Sequence, residues 1–236
     1  MRFLLLTLLI LASCKTPVIS VLRYNPNIKY YAITPNTVRI AIIDTGIDLT
    51  WPMPNICPKG LIDLTKTGIK DTHGHGQNVA HLIADPLKGK DYCLYIIKFH
   101  DGRNDNLSQL TRALRVVYKL KPDIVNLSAG GQKPIEEELF IMKHMEKLGI
   151  PFIVAAGNSN MDLSKTCQYF PACYKLWNVY VVGNLDNEGH RAETSNYGYI
   201  QIWEKGTLQT AGGVTLTGTS QACANATSKI VQRWLK

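Results

Sequence analysis

Apolar residues along the chain fall into two patterns. Five short runs, 38–43, 93–99, 123–127, 151–156 and 177–182, are almost continuously apolar and rich in Ile and Val. A strand with one wet face alternates; an unbroken run suits a strand covered on both faces, as in a parallel sheet. Between these runs, segments 77–84, 107–120 and 135–148 space their apolar residues by three and four, the period of a helix with one buried face. Asn106 or Ser108 is placed to cap the second segment. Pro134 with Glu136, Glu137 and Glu138 suits the start of the third, and Gly149-Ile150-Pro151 stops it. Strand and helix alternate, which predicts an α/β fold: a doubly wound, mostly parallel sheet with helices on both faces. Such sheets place their sites beyond the carboxyl ends of strands. The loops after Ile43, Leu127 and Ala156 are therefore where chemistry is expected.

The pattern is different before Val38. Arg2 precedes an apolar run from position 3 to 12, too short to span a bilayer, which takes about 20 residues. A cation followed by a short apolar run is the grammar of an export signal, here residues 1–13. Leu11-Ala12-Ser13-Cys14 resembles the lipobox of bacterial lipoproteins, which implies a lipid on the Cys14 thiol and a protein anchored to the membrane of a bacterial envelope. An ordinary signal that happens to contain a cysteine is the other reading. Residues 14–37 would be the tether and an irregular arm, and 38–236 a single domain.

The formal net charge is +8, but the Lys and Arg are scattered, with no run of four and no basic stripe with interleaved aromatics. Nucleic acid is therefore not an expected partner. A monomer with a mildly cationic surface is. With Cys14 lipidated, Cys57, Cys93, Cys167, Cys173 and Cys223 remain, an odd number, so at least one lacks a partner within the chain. Cys167 and Cys173 close a Gln-Tyr-Phe-Pro-Ala loop and are the first candidates for a bridge, though the sequence leaves the pairing open.

Four short segments carry polar residues suited to catalysis. Asp44-Thr45-Gly46-Ile47-Asp48 continues the first run, and a carboxylate at a strand end serves Mg²⁺, phosphate or acid–base chemistry alike. In Gly74-His75-Gly76, glycines on both sides let the backbone turn sharply and present an imidazole to a cleft; His73 nearby is taken as structural. A metal pair from the two histidines lacks a third ligand at recognised spacing. Ala155-Ala156-Gly157-Asn158 ends a buried strand in small residues and an amide donor, which could equally be turn chemistry. Thr217-Gly218-Thr219-Ser220 puts a hydroxyl at the start of the last helical segment, where it could simply cap.

Taken in order, Asp-Thr-Gly, Gly-His-Gly, Ala-Ala-Gly-Asn and Gly-Thr-Ser resemble the subtilisin-like serine peptidases, whose triad follows the chain order Asp, His, Ser. Val125-Asn126-Leu127-Ser128-Ala129-Gly130-Gly131 is similar to that family's substrate-binding strand, and Ser195-Asn196-Tyr197-Gly198 to a segment preceding its nucleophile. The likeness runs over roughly 38–228. It implies a serine endopeptidase in which Asp44 orients, His75 is the general base, Ser220 the nucleophile and Asn158 the oxyanion donor. It further implies a polypeptide substrate pairing with Ser128, Ala129 and Gly130, with Ala155, Ala156 and Gly157 as small walls of a roomy apolar first subsite. No cofactor is required for such chemistry; a structural Ca²⁺ ion, common in that family, is allowed for without assigned ligands.

The chain departs from that family in places. Gln77-Asn78 stands where Thr-His is usual, His81 where Gly is, and Gln221-Ala222-Cys223-Ala224-Asn225 replaces Met-Ala-Ala-Pro-His. The 16 residues at 221–236 imply shortened C-terminal helices, and the roughly 24 residues between Cys14 and Val38 are too few for a folded prodomain. Rival readings are a protease fold retained as a catalytically impaired binding module, and acyl transfer to an amine in place of water.

Overall fold

The structure is a computed structural model that describes residues 30–52, 54–102 and 108–236. Cys14, the expected signal and most of the arm lie outside the described residues, as does Asn106.

All five apolar runs form strands, and their order explains their composition. β1 (Val38–Asp44), β3 (Tyr92–Lys98), β4 (Ile124–Leu127), β5 (Phe152–Ala155) and β6 (Val179–Leu185) stand in one parallel seven-stranded sheet. β2 (Ile56–Asp63) and β7 (Ile202–Lys205) form its edges, in the order β2-β3-β1-β4-β5-β6-β7. Successive residues of each strand enter opposite cores. Ala41, Ile43, Tyr95, Ile97, Phe152 and Val154 face one, together with Ala113, Leu114 and Val117 of α2 (Ser108–Leu120) and Met142 and Met145 of α3 (Glu136–Lys147). Ile40, Ile42, Leu94, Ile96, Ile153 and Val182 face the other, against Val79 and Ile83 of α1 (His75–Ala84) and Ala222 and Val231 of α4 (Thr219–Trp234). Both faces of the central strands are dry, so no polar alternation survives in their sequences.

The expected segments shift by a few residues at their ends. The run at 177–182 begins as a strand only at Val179, and the helix expected from 77 starts at His75. β2 and β7 were not anticipated, nor was the hairpin of β8 (Gln209–Ala211) and β9 (Val214–Leu216).

Strand order positions the site. β1 pairs with β3 on one side and β4 on the other, so the chain reverses its winding there. A crevice at the carboxyl ends of β1 and β4 follows, the usual ligand position in such sheets. Ile43 pairs with Leu127, which sets Asp44 and Ser128 side by side at its mouth.

Candidate active site

Asp44 ends β1 and is 3% exposed. Its Oδ1 accepts from the Thr45 N–H at 2.8 Å and stands 2.7 Å from His75 Nδ1. Its Oδ2 is buried without a hydrogen-bond partner among the described residues, which leaves the carboxylate charge to be balanced mainly by the imidazole. Glycine makes this approach feasible. A Cβ on Gly76 would lie 2.5 Å from Gly46 O and 2.9 Å from Gly46 N, so the loop after β1 and the first turn of α1 touch backbone to backbone.

Asp71 completes that junction, and the sequence reading passed over it. It is buried, and its Oδ1 accepts from Thr45 Oγ1 at 3.0 Å, His73 N at 2.8 Å and Gly74 N at 2.9 Å, while Oδ2 accepts from Gln77 N at 2.7 Å. Gly74 at the N-cap of α1 has no side chain to cap with, so Asp71 supplies the acceptor and the favourable negative charge. His75 is 22% exposed at its side chain. Burial pulls its pKa down, but the Asp44 charge, the Asp44 hydrogen bond and the Asp71 charge together hold it above the ordinary histidine value.

Ser220 lies in the first turn of α4, where its own N–H has no acceptor among the described residues. Its Oγ donates to Ser128 O at 3.1 Å, and Ser128 Oγ donates back to Ser220 O at 3.1 Å, which fixes the helix start to the end of β4. The first turns of α1 and α4 are tied together by Gln221 Nε2 donating to Asn78 Oδ1 at 3.1 Å. Both residues depart from the resemblance, and they depart as a bonded pair. Asn78 Nδ2 also donates to Val214 O at 2.8 Å and Gln209 O at 3.1 Å, docking the β8–β9 hairpin beside His75.

Asn158 is exposed, and its Oδ1 accepts from Thr219 N at 2.9 Å. Its Nδ2 lies beside Gly218, 3.1 Å from where a Cβ on that glycine would stand. Cys223, under the site, is fully buried with its Sγ 3.1 Å from Ile153 O and 3.2 Å from Asn126 Oδ1. Burial pushes its thiol up to about 12, so no thiolate is on hand as a rival nucleophile.

Residues 155–157 are buried, with their backbone committed inward. Ala156 N donates to Val182 O at 2.9 Å, Ala156 O accepts from Asn196 Nδ2 at 2.7 Å, and Gly157 N donates to Thr219 Oγ1 at 3.1 Å. They can wall a cleft but not pair with a ligand strand. By contrast, no described residue hydrogen-bonds the N–H or C=O of Ala129 or Gly130. The roomy space expected between these segments is occupied by Tyr169. A Cβ on Gly130 would lie 2.7 Å from Tyr169 Cζ, and one on Gly157 3.1 Å from Tyr169 Cδ2. Among the described residues no group of three or more His, Cys, Asp or Glu is placed to hold a metal ion, and no helix is long and apolar enough to cross a membrane.

The family model described as "Subtilase family" matches residues 36–234. The chain belongs to the subtilase family. Relatives of this subtilase include the major intracellular serine protease of Bacillus subtilis (strain 168), 29% identical over 175 residues that make up 67% of this chain and 54% of the relative. Subtilisin E of the same organism is 25% identical over 182 residues, 73% of this chain and 47% of its own length. The chain thus spans about half the length of these relatives. Its fold is similar to that in the crystal structure of a cold adapted subtilisin-like serine proteinase, with a TM-score of 0.68 at 21% identity, covering 87% of this chain and 79% of that one.

Proposed function

We propose that this subtilase is a serine endopeptidase with Asp44, His75 and Ser220 as its triad. The observation that carries the reading is the 2.7 Å Asp44–His75 contact held beside the first turn of α4 by the Asn78–Gln221 bond. A serine hydroxyl is a weak nucleophile until a neighbouring base takes its proton. Asp44 holds the Nδ1–H, which directs Nε2 toward the α4 turn and stabilises the imidazolium once formed. In the reaction the Ser220 hydroxyl exchanges its bond to Ser128 O for one to that nitrogen. Oγ then attacks the scissile carbonyl carbon, His75 takes the proton and later gives it to the leaving amine, and water hydrolyses the acyl-enzyme by the same route. Asn158 Nδ2 and the Ser220 N–H donate to the oxyanion. The free backbone groups of Ala129 and Gly130 take the substrate as an added strand.

The Ser220–Ser128 bond also supports a second reading, an impaired enzyme kept as a binding module, because the hydroxyl donates to a backbone carbonyl. A fluorophosphonate probe decides between them. The full chain should be labelled covalently and Ser220→Ala should not; labelling that survives in the variant would reassign the nucleophile, and none in either supports the binding module.

Location is part of the proposal. The Leu11-Ala12-Ser13-Cys14 segment supports a lipid on Cys14 and attachment to a bacterial envelope membrane. Wild type should sediment with membranes, and Cys14→Ser should be released or stay unprocessed; equal solubility of the two with the same mature N-terminus rules the anchor out.

A further inference from the structure

The registers of β4 and β5 run together as far as Leu127 and Val154, and beyond them the two neighbouring strands lead into residues 128–130 and 155–157. Ser220 Oγ hangs on Ser128 at 3.1 Å, and Asn158 follows the other segment directly. A carbonyl attacked by Ser220, with its oxygen toward Asn158 and its strand along Ala129 and Gly130, therefore sends the side chain of its own residue into the gap between the segments. Tyr169 is already there. Its ring lies against the glycine face of both walls, where neither Gly130 nor Gly157 has a side chain that could withdraw.

Tyr169 is also anchored at its backbone. It lies inside the loop closed by the Cys167–Cys173 disulfide. Its N–H donates to Cys173 Sγ at 3.4 Å, and its carbonyl accepts from Cys173 N at 2.9 Å. The next residue, Phe170, exchanges two backbone hydrogen bonds with Gly131, at 2.7 and 2.9 Å, so the loop is stitched to the segment that would hold the substrate. The ring packs on the core beneath α2 and α3.

We infer that Tyr169 sets the specificity of the site by filling its first subsite, restricting the residue on the acyl side of the scissile bond to a small side chain such as Gly, Ala or Ser. The inference rests on the peptidase reading above and goes beyond it by naming the substrate class. One methylene in an apolar pocket changes kcat/KM by about 10–200-fold, so an aromatic side chain that must displace a packed ring loses at least the lower of those factors.

The test is a series of peptide p-nitroanilides differing only in Ala, Leu or Phe at the acyl residue, cleaved by the full chain. Wild type should favour Ala over Phe by at least about tenfold in kcat/KM. Tyr169→Gly should raise the Phe/Ala ratio by at least about tenfold, while Tyr169→Phe, which keeps the ring, leaves it low. Wild type cleaving Phe as fast as Ala overturns the inference even if Tyr169→Gly fails to fold. So does an unchanged ratio in a folded Tyr169→Gly that still labels with fluorophosphonate. Absence of both labelling and cleavage in wild type removes the peptidase reading, and the inference with it.

Discussion

At Asn158 a single amide is asked to face two ways. Its Oδ1 is engaged by the Thr219 N–H at 2.9 Å, which leaves Nδ2 as the donor that the proposed mechanism uses. A donor that is fixed before reaction loses no freedom when negative charge develops on the oxyanion. Asn158→Leu removes it at similar size. In a subtilisin, a relative of this chain, losing one such donor lowers kcat by about 10²–10³, and that magnitude is carried over here. Because the donor acts on the transition state, kcat and kcat/KM should fall together in peptide hydrolysis corrected for folded fraction. A kcat within about threefold of wild type would take Asn158 out of the mechanism. The residues at this scale were legible where a motif surrounds them. Asp71 was not, although it accepts four hydrogen bonds, because its acceptors are used by backbone N–H groups two to six residues on and by Thr45 across the site. Nothing in the local sequence announces such partners. Tyr169 was hidden because the residues it fills the space between are remote in sequence, 12 and 39 positions earlier at Gly157 and Gly130.

Elements were readable in proportion to how completely they are buried. β1, β3, β4 and β5 are enclosed by helices and announce themselves as apolar runs, while β2, on the sheet edge, does not. Its sequence ICPKGLID holds Pro58 and Gly60, exposes Pro58 and Lys59, and shifts register between Ile56 and Leu61. Pro and Gly at an edge or bulge are permitted there and discouraged in a central strand. The edge is held by a bond the cysteine count left open: Cys57 of β2 is joined to Cys93 of β3, both fully buried, and Cys223 is the free thiol among the described residues. That bridge closes 36 residues, against 6 for Cys167–Cys173. Chain entropy then gives the longer loop about 3–4 kcal/mol and the shorter about 2 kcal/mol. Cys57→Ala with Cys93→Ala should lower the unfolding free energy by at least the larger figure, measured in denaturant under oxidising conditions. A loss below about 1 kcal/mol would mean the two thiols are not joined.

Across the whole molecule, two buried groups make activity and stability respond to pH in opposite senses. In the proposed mechanism His75 must be neutral to accept the Ser220 proton, and its environment holds its pKa above 6.5. The acid limb of kcat/KM should therefore rise through a midpoint above that value. Glu138 lies on the far side of the sheet, 2% exposed between α2 and α3, contacting Thr111 Oγ1 at 3.4 Å and Tyr174 Oη at 3.2 Å. Tyr174 has one hydroxyl hydrogen and also stands 3.1 Å from Ile135 O, so it cannot donate to both. A protonated Glu138 resolves this by donating to Tyr174 itself. Burial pushes Glu138 up to about 7 from 4.5, opposed only by the hydrogen bonds that Tyr174 and Thr111 can donate to its ionised form. The folded state thus binds a proton that the unfolded chain releases, and stability present below pH 4.5 is lost as pH rises through 7. The loss is on the order of 3 kcal/mol. Raised His75 contributes in the same direction, lost above its own folded pKa. Glu138→Gln separates the two, since it keeps the hydrogen-bonding shape and cannot ionise. Urea midpoints of wild type should fall between pH 5 and pH 8, those of Glu138→Gln should fall less, and the acid limb of kcat/KM should keep its midpoint in both. Equal slopes of stability against pH in the two proteins would show that Glu138 is ionised at little cost, and that α2 and α3 admit more water than their packing implies.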